Sequence, residues 1–171
     1  MINKLRIMTT AYLFNEDEIL LMQRSMDKKL APGMWSGIGG HVEANEHENI
    51  KTSCLREIQE ETGLTAEHIL SFKLRYIILR QKDNELRQQY IYFGQTTTKH
   101  VGETREGKLH WIPRQCIFNR EMTESNRFTL QHYLENHSTQ HVWVGVMGER
   151  DSKAIISWMQ MRDWEEPVLA Q

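Results

Sequence analysis

The sequence predicts an α+β fold, and three observations carry that prediction. Two β-like runs, 7–14 and 18–24, are separated by a polar Asn-Glu-Asp turn, which is typical of a β-hairpin. Residues 49–62 repeat apolar side chains at helical spacing. Strands and helices then alternate irregularly along the chain, as they do in α+β folds.

Each further element has a local signal. The helix over 49–62 has Asn49 in the N-cap position and Gly63 as its stop. Just before it, residues 33–43 are rich in glycine, which suggests a backbone that approaches something closely rather than the interior of a strand. The other predicted elements are a second hairpin, a second helix and a third hairpin, at 72–80 with 87–96, at 124–135, and at 141–147 with 154–161.

Length and composition indicate one ordinary globular domain of 171 residues, with 39% hydrophobic and 26% charged residues. We assign 1–135 to the main domain and 136–171 to a C-terminal hairpin extension, because so short a segment cannot build its own core. A net charge of −2 argues against a protein that grips long nucleic acid. No apolar run suggests a membrane span or a secretory signal, so we expect a cytoplasmic protein with Cys54 and Cys116 as free thiols.

Three carboxylates mark the first helix as a candidate metal site. Glu57, Glu60 and Glu61 stand at i, i+3 and i+4, so they share one helix face and repel each other. Their oxygens are hard ligands suited to Mg²⁺, with Mn²⁺ as a substitute. A solvated acidic face balanced by neighbouring cations is the alternative. The glycines just upstream, Gly39 and Gly40, favour binding, because they can present bare backbone groups to a metal or phosphate.

The segment from Gly40 to Leu64 resembles the Nudix box, GX5EX7REUXEEXGU, where U is aliphatic. The chain fills every fixed residue of that pattern: Gly40, Glu46, Arg56, Glu57, Ile58, Glu60, Glu61, Gly63 and Leu64. One spacing departs from it, because nine residues rather than seven separate Glu46 from Arg56. Either the loop before the helix is longer, or Glu48 takes the role of the loop glutamate.

The resemblance covers residues 7–135 and implies the Nudix fold, an α/β/α sandwich with a mixed sheet. It implies that Mg²⁺ is held by the Gly39 carbonyl and by Glu57, Glu60 and Glu61, with Glu106 joining from a later loop, for which Glu103 is a rival. Arg56 would orient the carboxylates, and Arg24 would contact phosphate unless it is a surface arginine. The base that takes a proton from the attacking water would be Glu61 first and Glu106 second.

The same resemblance suggests a small nucleotide substrate. The segment MWSGIGGHVE is similar to the oxidised-purine nucleotide hydrolases of the family, and Asn126 falls where bacterial members read the oxidised guanine, unless it only caps its helix. Trp35 either stacks on a base or belongs to the core. The alternatives are an ADP-ribose or dinucleotide hydrolase, an RNA 5′-end pyrophosphohydrolase, an isomerase and a nucleotide-sensing module without catalysis. The third hairpin is expected to pack on the core or on a second subunit, so a homodimer is among the predicted partners.

Overall fold

The computed structural model describes residues 2–28, 31–138 and 140–162, and it contains a mixed sheet of eight strands with two α-helices. The strands are β1 (Lys4–Asn15), β2 (Glu18–Arg24), β3 (Trp35–Ser36), β4 (Ile69–Lys82), β5 (Glu85–Thr96), β6 (Gly107–Pro113), β7 (Val142–Arg150) and β8 (Lys153–Met161). The helices are α1 (Ile50–Thr62) and α2 (Glu124–Glu135). The predicted α+β class is confirmed.

Two parallel pairings make the sheet mixed. The strand order is β3-β2-β1-β5-β4-β7-β8, with β6 paired to β2. Strand β1 runs parallel to β5, and β4 runs parallel to β7, while the other pairs are antiparallel. The predicted third hairpin, β7–β8, therefore continues the main sheet through β4, and residues 163–171 of the predicted extension lie outside the described residues.

Each face of the sheet carries one helix. Successive side chains of a strand point to opposite faces, so Tyr12 and Leu13 of β1 belong to two different apolar clusters. The cluster of Leu13 includes Cys54 and Ile58 of α1, both fully buried. The cluster of Tyr12 includes Leu130 of α2. The arrangement is the predicted α/β/α sandwich.

Helix α1 begins and ends with the caps that the sequence predicts. The Asn49 side-chain oxygen accepts a hydrogen bond from the Thr52 backbone N–H at 3.2 Å. At the other end, Gly63 has a φ of 76°, and its N–H donates to the Gln59 carbonyl at 2.9 Å. Glycine adopts this left-handed conformation at little cost in free energy, and the conformation ends the helix. No described helix has the length and apolar character needed to cross a membrane.

The glycine-rich loop lies against β1. The backbones of Ala11 and Ile38 exchange two hydrogen bonds, at 2.6 and 3.0 Å, and the Thr9 N–H donates to the Gly40 carbonyl at 2.9 Å. Between these bonds Gly39 adopts a φ of 148°, and a Cβ atom there would lie 2.3 Å from the Thr9 carbonyl oxygen. Only glycine fits, so this loop is fixed on β1 beside the carboxylate face of α1.

Candidate active site

The carboxylates of α1 open into an acidic cavity of about 670 Å³ between the glycine loop, the end of β2 and the loop before β6. Its lining contains six glutamates and two arginines, namely Glu43, Glu57, Glu60, Glu61, Glu103, Glu106, Arg24 and Arg105. Gly39 and Gly40 complete one wall. Most of the residues that the sequence assigns to metal or phosphate therefore line one cavity.

Gly40 brings the backbone against the Glu57 carboxylate. A Cβ atom on Gly40 would lie 2.7 Å from both carboxylate oxygens of Glu57. The Glu57 side chain is only 14% exposed, and burial raises its pKa, while the Arg56 guanidinium opposes that rise. The glycine in the first box position thus leaves room for an acidic side chain.

Glu61 is the most strongly perturbed carboxylate of the cavity. It is 6% exposed, and its Oε2 accepts a hydrogen bond from the Gly39 N–H at 3.1 Å. Burial raises the pKa of Glu61 to about 8; the Gly39 bond opposes this rise, and the charges of Glu57 and Glu106 add to it. The charge of Arg24 lowers the same pKa, which places Arg24 within electrostatic reach of Glu61.

Arg56 ties the loop to the helix. Its Nε and Nη2 donate to the two carboxylate oxygens of Glu46 at 2.8 and 3.0 Å, and its Nη1 donates to Glu57 at 3.0 Å and Glu60 at 3.1 Å. The bonds from Arg56 lower the pKa of Glu46 to about 2. Glu48 is exposed. The geometry favours the longer-loop alternative, in which Glu46 remains the partner of Arg56.

The loop before β6 brings two more glutamates to the cavity. Glu106 forms an ion pair with Lys28 at 2.7 Å, and its charge helps to raise the pKa of Glu61. Glu103 is exposed and also lines a neighbouring cleft. Both line the acidic cavity, so both stay candidates, with Glu106 favoured by its electrostatic contact with Glu61.

The donor set fits a hard divalent cation. Carboxylate oxygens surround the cavity, and among the described residues no N–H or O–H donates to the Gly39 carbonyl oxygen. Within 2–28, 31–138 and 140–162, no three His, Cys, Asp or Glu side chains form a preassembled metal site. Arg56 holds Glu57 and Glu60 by hydrogen bonds, so these carboxylates would have to turn from Arg56 to bind a metal.

A second, smaller cleft of about 220 Å³ adjoins the acidic cavity, and Met8, Arg24 and Gly39 line both. Asn126, 7% exposed, lies in its wall at the start of α2. Its Nδ2 donates to the Trp35 carbonyl at 3.4 Å, and no described residue donates to its Oδ1. The amide oxygen therefore remains available to a ligand.

Trp35 lies in a different environment from the one required for base stacking. The centroid of the Trp35 ring is 5.1 Å from that of His110. The Arg120 guanidinium lies over the Trp35 ring, 4.8 Å from its centroid. The side chain packs against the apolar cluster of α2 and lines neither the acidic cavity nor the second cleft. The geometry favours the core interpretation of Trp35, with its carbonyl positioning Asn126.

Several residues of the second cleft were missed at the level of the sequence. They come from β1, β4 and β5 and include Thr10, Arg80, Lys82, Arg87 and Gln89. The signal that could have revealed the cations is the hairpin pairing, because equal strand lengths around the Asp83-Asn84 turn place Arg80 opposite Arg87.

Comparisons with known proteins identify the family and the fold. A sequence model described as the NUDIX domain matches residues 4–144. A protein named "Uncharacterized Nudix hydrolase YvcI" from Bacillus subtilis is 27% identical over 143 residues, which cover 80% of this chain and 84% of that protein. The nucleoside triphosphatase NudI of Klebsiella pneumoniae is 28% identical over 125 residues, covering 68% and 87% of the two chains. A crystal structure of a MutT protein from Bacillus halodurans superposes with a TM-score of 0.70 at 21% identity, covering 91% of this chain and 97% of that one.

Proposed function

This chain belongs to the Nudix family and is a Nudix hydrolase, and we propose that it hydrolyses a purine nucleoside triphosphate, with 8-oxo-dGTP as the preferred substrate, to the monophosphate and pyrophosphate. The observation that carries the proposal is the junction of two cavities. The acidic cavity offers carboxylates for a divalent cation, and the adjoining cleft offers the Asn126 amide for a base. Arg24 lines both.

We assign the metal to the Gly39 carbonyl, Glu57, Glu60 and Glu61, with Glu106 as the ligand from the loop before β6. When bound, Mg²⁺ would neutralise charge on the phosphates and lower the pKa of an attacking water. The protein supplies the remaining functions. Arg24, at the shared wall, is placed to contact the phosphate chain, and Arg56 orients the helix carboxylates through its hydrogen bonds.

Glu61 is our first choice for the base that takes the water's proton. The side chain is buried at the wall of the acidic cavity, and the Gly39 N–H fixes one of its carboxylate oxygens, so the other oxygen can face a bound water. Glu106 is the second choice, because it is 41% exposed and already paired with Lys28. If Glu61 is the base, loss of Glu106 should weaken metal or phosphate binding more than proton transfer. If Glu106 is the base, its loss should slow proton transfer instead.

Asn126 supports the preference for an oxidised base. The Asn126 Oδ1 is a hydrogen-bond acceptor, and 8-oxoguanine carries an N–H at N7 where guanine carries an acceptor nitrogen. An unmatched acceptor pair costs about 1–3 kcal/mol, or roughly tenfold to a hundredfold in kcat/KM. The relative named as a nucleoside triphosphatase agrees with a triphosphate substrate.

The other candidate functions have less support in the described residues. A nucleotide-sensing module without catalysis would not need its carboxylates, and here Glu57, Glu60 and Glu61 all reach one cavity. Long RNA is disfavoured by the net charge of −2. ADP-ribose and dinucleotides contain the same phosphoanhydride bond, so they are included in the test.

The test is a substrate panel with Mg²⁺ and identification of products. It contains 8-oxo-dGTP, dGTP, the other triphosphates, ADP-ribose, diadenosine polyphosphates and 5′-triphosphorylated RNA. We expect kcat/KM for 8-oxo-dGTP to exceed that for dGTP at least about tenfold, and Asn126→Ala to reduce this ratio. A ratio near one, or a ratio that Asn126→Ala leaves unchanged, would refute the base assignment and leave the hydrolase assignment standing.

A further inference from the structure

The second cleft has an unbalanced charge that the proposed reaction does not use. Its lining contains four cationic side chains, Arg24, Arg80, Lys82 and Arg87, and no aspartate or glutamate. Arg24 lies at the wall shared with the acidic cavity, where it is assigned to the cleaved phosphates. The other three cations lie on the β4–β5 hairpin, which forms one side of the cleft.

The sheet places three of its arginines side by side. Arg6 of β1 is in register with Arg87 of β5, and Arg87 is in register with Arg80 of β4. Like charges directly opposite each other on neighbouring strands destabilise a sheet. A row of three is therefore unfavourable unless anions compensate for it.

The protein itself compensates for only part of this charge. Glu85 binds Arg6 at 2.9 Å, Arg87 at 2.5 Å and Lys4 at 3.3 Å, so one carboxylate already serves three cations. Among the described residues, neither the Arg80 nor the Lys82 side chain has a hydrogen-bond or ion-pair partner. Two positive charges at one edge of the cleft thus remain uncompensated.

From this juxtaposition we infer that the second cleft binds a phosphate monoester on the ribose of its nucleotide, held by Arg80 and Lys82 and supported by Arg87. The inference rests on the proposed function in one respect, that the 5′-phosphates lie at the carboxylates of the acidic cavity. It adds a second class of nucleotide to the proposed substrate, because 8-oxo-dGTP has no further phosphate on its deoxyribose. The base then lies toward Asn126, and the ribose lies in the cleft between them.

Charge favours a monoester over a diester. A phosphate monoester carries about −1.5 to −2 charges at neutral pH, which matches the two uncompensated cations. The Arg80 guanidinium offers a fork of donors for phosphate oxygens, and Lys82 adds a point charge. A phosphodiester, as in an RNA chain, carries one charge and would leave part of the surplus unmatched.

The experiment measures binding in EDTA by calorimetry, so it does not depend on turnover. The ligands are guanosine 5′-monophosphate, its 2′,5′- and 3′,5′-bisphosphates and the dinucleotide pGpG, and the proteins are wild type, the double variant Arg80→Gln/Lys82→Gln and the control Lys153→Gln. The control removes one exposed cation from β8, outside the cleft. Thermal unfolding checks that all three proteins are folded.

We expect wild type and the control to bind at least one bisphosphate about tenfold or more tighter than the monophosphate, with a difference that shrinks as salt rises. The double variant should bind that bisphosphate and the monophosphate with equal affinity. Equal binding by wild type, or a preference that survives in the double variant, would overturn the inference. A gain for pGpG as large as for the bisphosphates would overturn the monoester assignment in favour of a diester.

Discussion

Replacing Gly40 with alanine tests how closely the glycine loop and the α1 carboxylates must fit. The added Cβ would lie 2.7 Å from the Glu57 carboxylate, whereas an ordinary contact begins at 3.4 Å, so the two groups must separate by about 0.7 Å. The backbone of Gly40 is outside the left-handed region, so alanine adds no backbone strain. The clash with Glu57 is the main expected effect.

This displacement should reduce activity more than stability. A misplacement of about 1 Å at a catalytic group can cost about a hundredfold in rate, so about 0.7 Å predicts a loss of roughly tenfold to a hundredfold in kcat. The change in unfolding free energy should stay within about 1 kcal/mol, because glycine-to-alanine substitutions at compatible positions also reduce the entropy of the unfolded chain. The Mg²⁺ concentration for half-maximal activity should rise as well.

The assay is steady-state hydrolysis of 8-oxo-dGTP across a Mg²⁺ titration, with urea unfolding of the same preparations. Gly148→Ala is the matched control, because the nearest atom to its added Cβ is 3.8 Å away, in ordinary contact. If Gly40→Ala kept kcat and its Mg²⁺ dependence within about twofold of the control, the close approach of Gly40 to Glu57 would have no role in catalysis.

Three further predictions concern the carboxylates and the third hairpin. Glu60→Gln and Glu61→Gln should each lower kcat at least about a hundredfold with the fold intact, and a variant that keeps more than about a third of kcat loses its assignment. The folded-state pKa of Glu61, about 8, lies above its ordinary value of 4.5, so its contribution to stability without metal is present below pH 4.5 and lost as pH rises to about 8. Urea unfolding in EDTA should therefore show Glu61→Gln gaining a few kcal/mol over wild type at pH 8.5 but not at pH 4.5, and equal curves at both would contradict the burial argument. Truncation at Asn136 removes the pairing of β7 with β4, so it should lower the unfolding midpoint or change the oligomeric mass, and a chain unchanged in both would count against that packing.

The first helix and its carboxylate face could be predicted because their signals are local. Asn49 and Gly63 are adjacent to the helix they cap, and the spacing of Glu57, Glu60 and Glu61 alone puts them on one face. The family's box adds the glycine loop. These features follow from neighbours in the sequence, and the structure places the three carboxylates in the same cavity as the glycine loop.

The sequence alone allows two interpretations of the two extra residues in the box. A glutamate at the family's spacing, Glu48, competed with Glu46, because spacing alone says nothing of how a loop folds. In the structure a short 3-10 turn, Ala44–Glu46, positions Glu46 for its two bonds to Arg56, and the additional residues form the connection to Asn49. The contact between Glu46 and Arg56 favours the longer loop, which the spacing of residues alone could not indicate.

The second cleft could not be predicted because its walls come together only through long-range pairing. Met8, Gln89 and Asn126 meet there, and they lie on β1, β5 and α2. Their meeting depends on the parallel pairing of β1 with β5, for which a single sequence carries no local turn signal. The same pairing creates the row of arginines at the cleft.

The role proposed for the α1 carboxylates is metal-dependent hydrolysis of a phosphoanhydride bond in a nucleotide. The most direct measurement is ³¹P NMR of 8-oxo-dGTP incubated with wild type or Glu61→Gln protein, with Mg²⁺ or with EDTA. We expect 8-oxo-dGMP and pyrophosphate only with wild type and Mg²⁺, and a rate at least about a hundredfold lower for Glu61→Gln. Products that form equally in EDTA, or equal rates for the two proteins, would rule out this role.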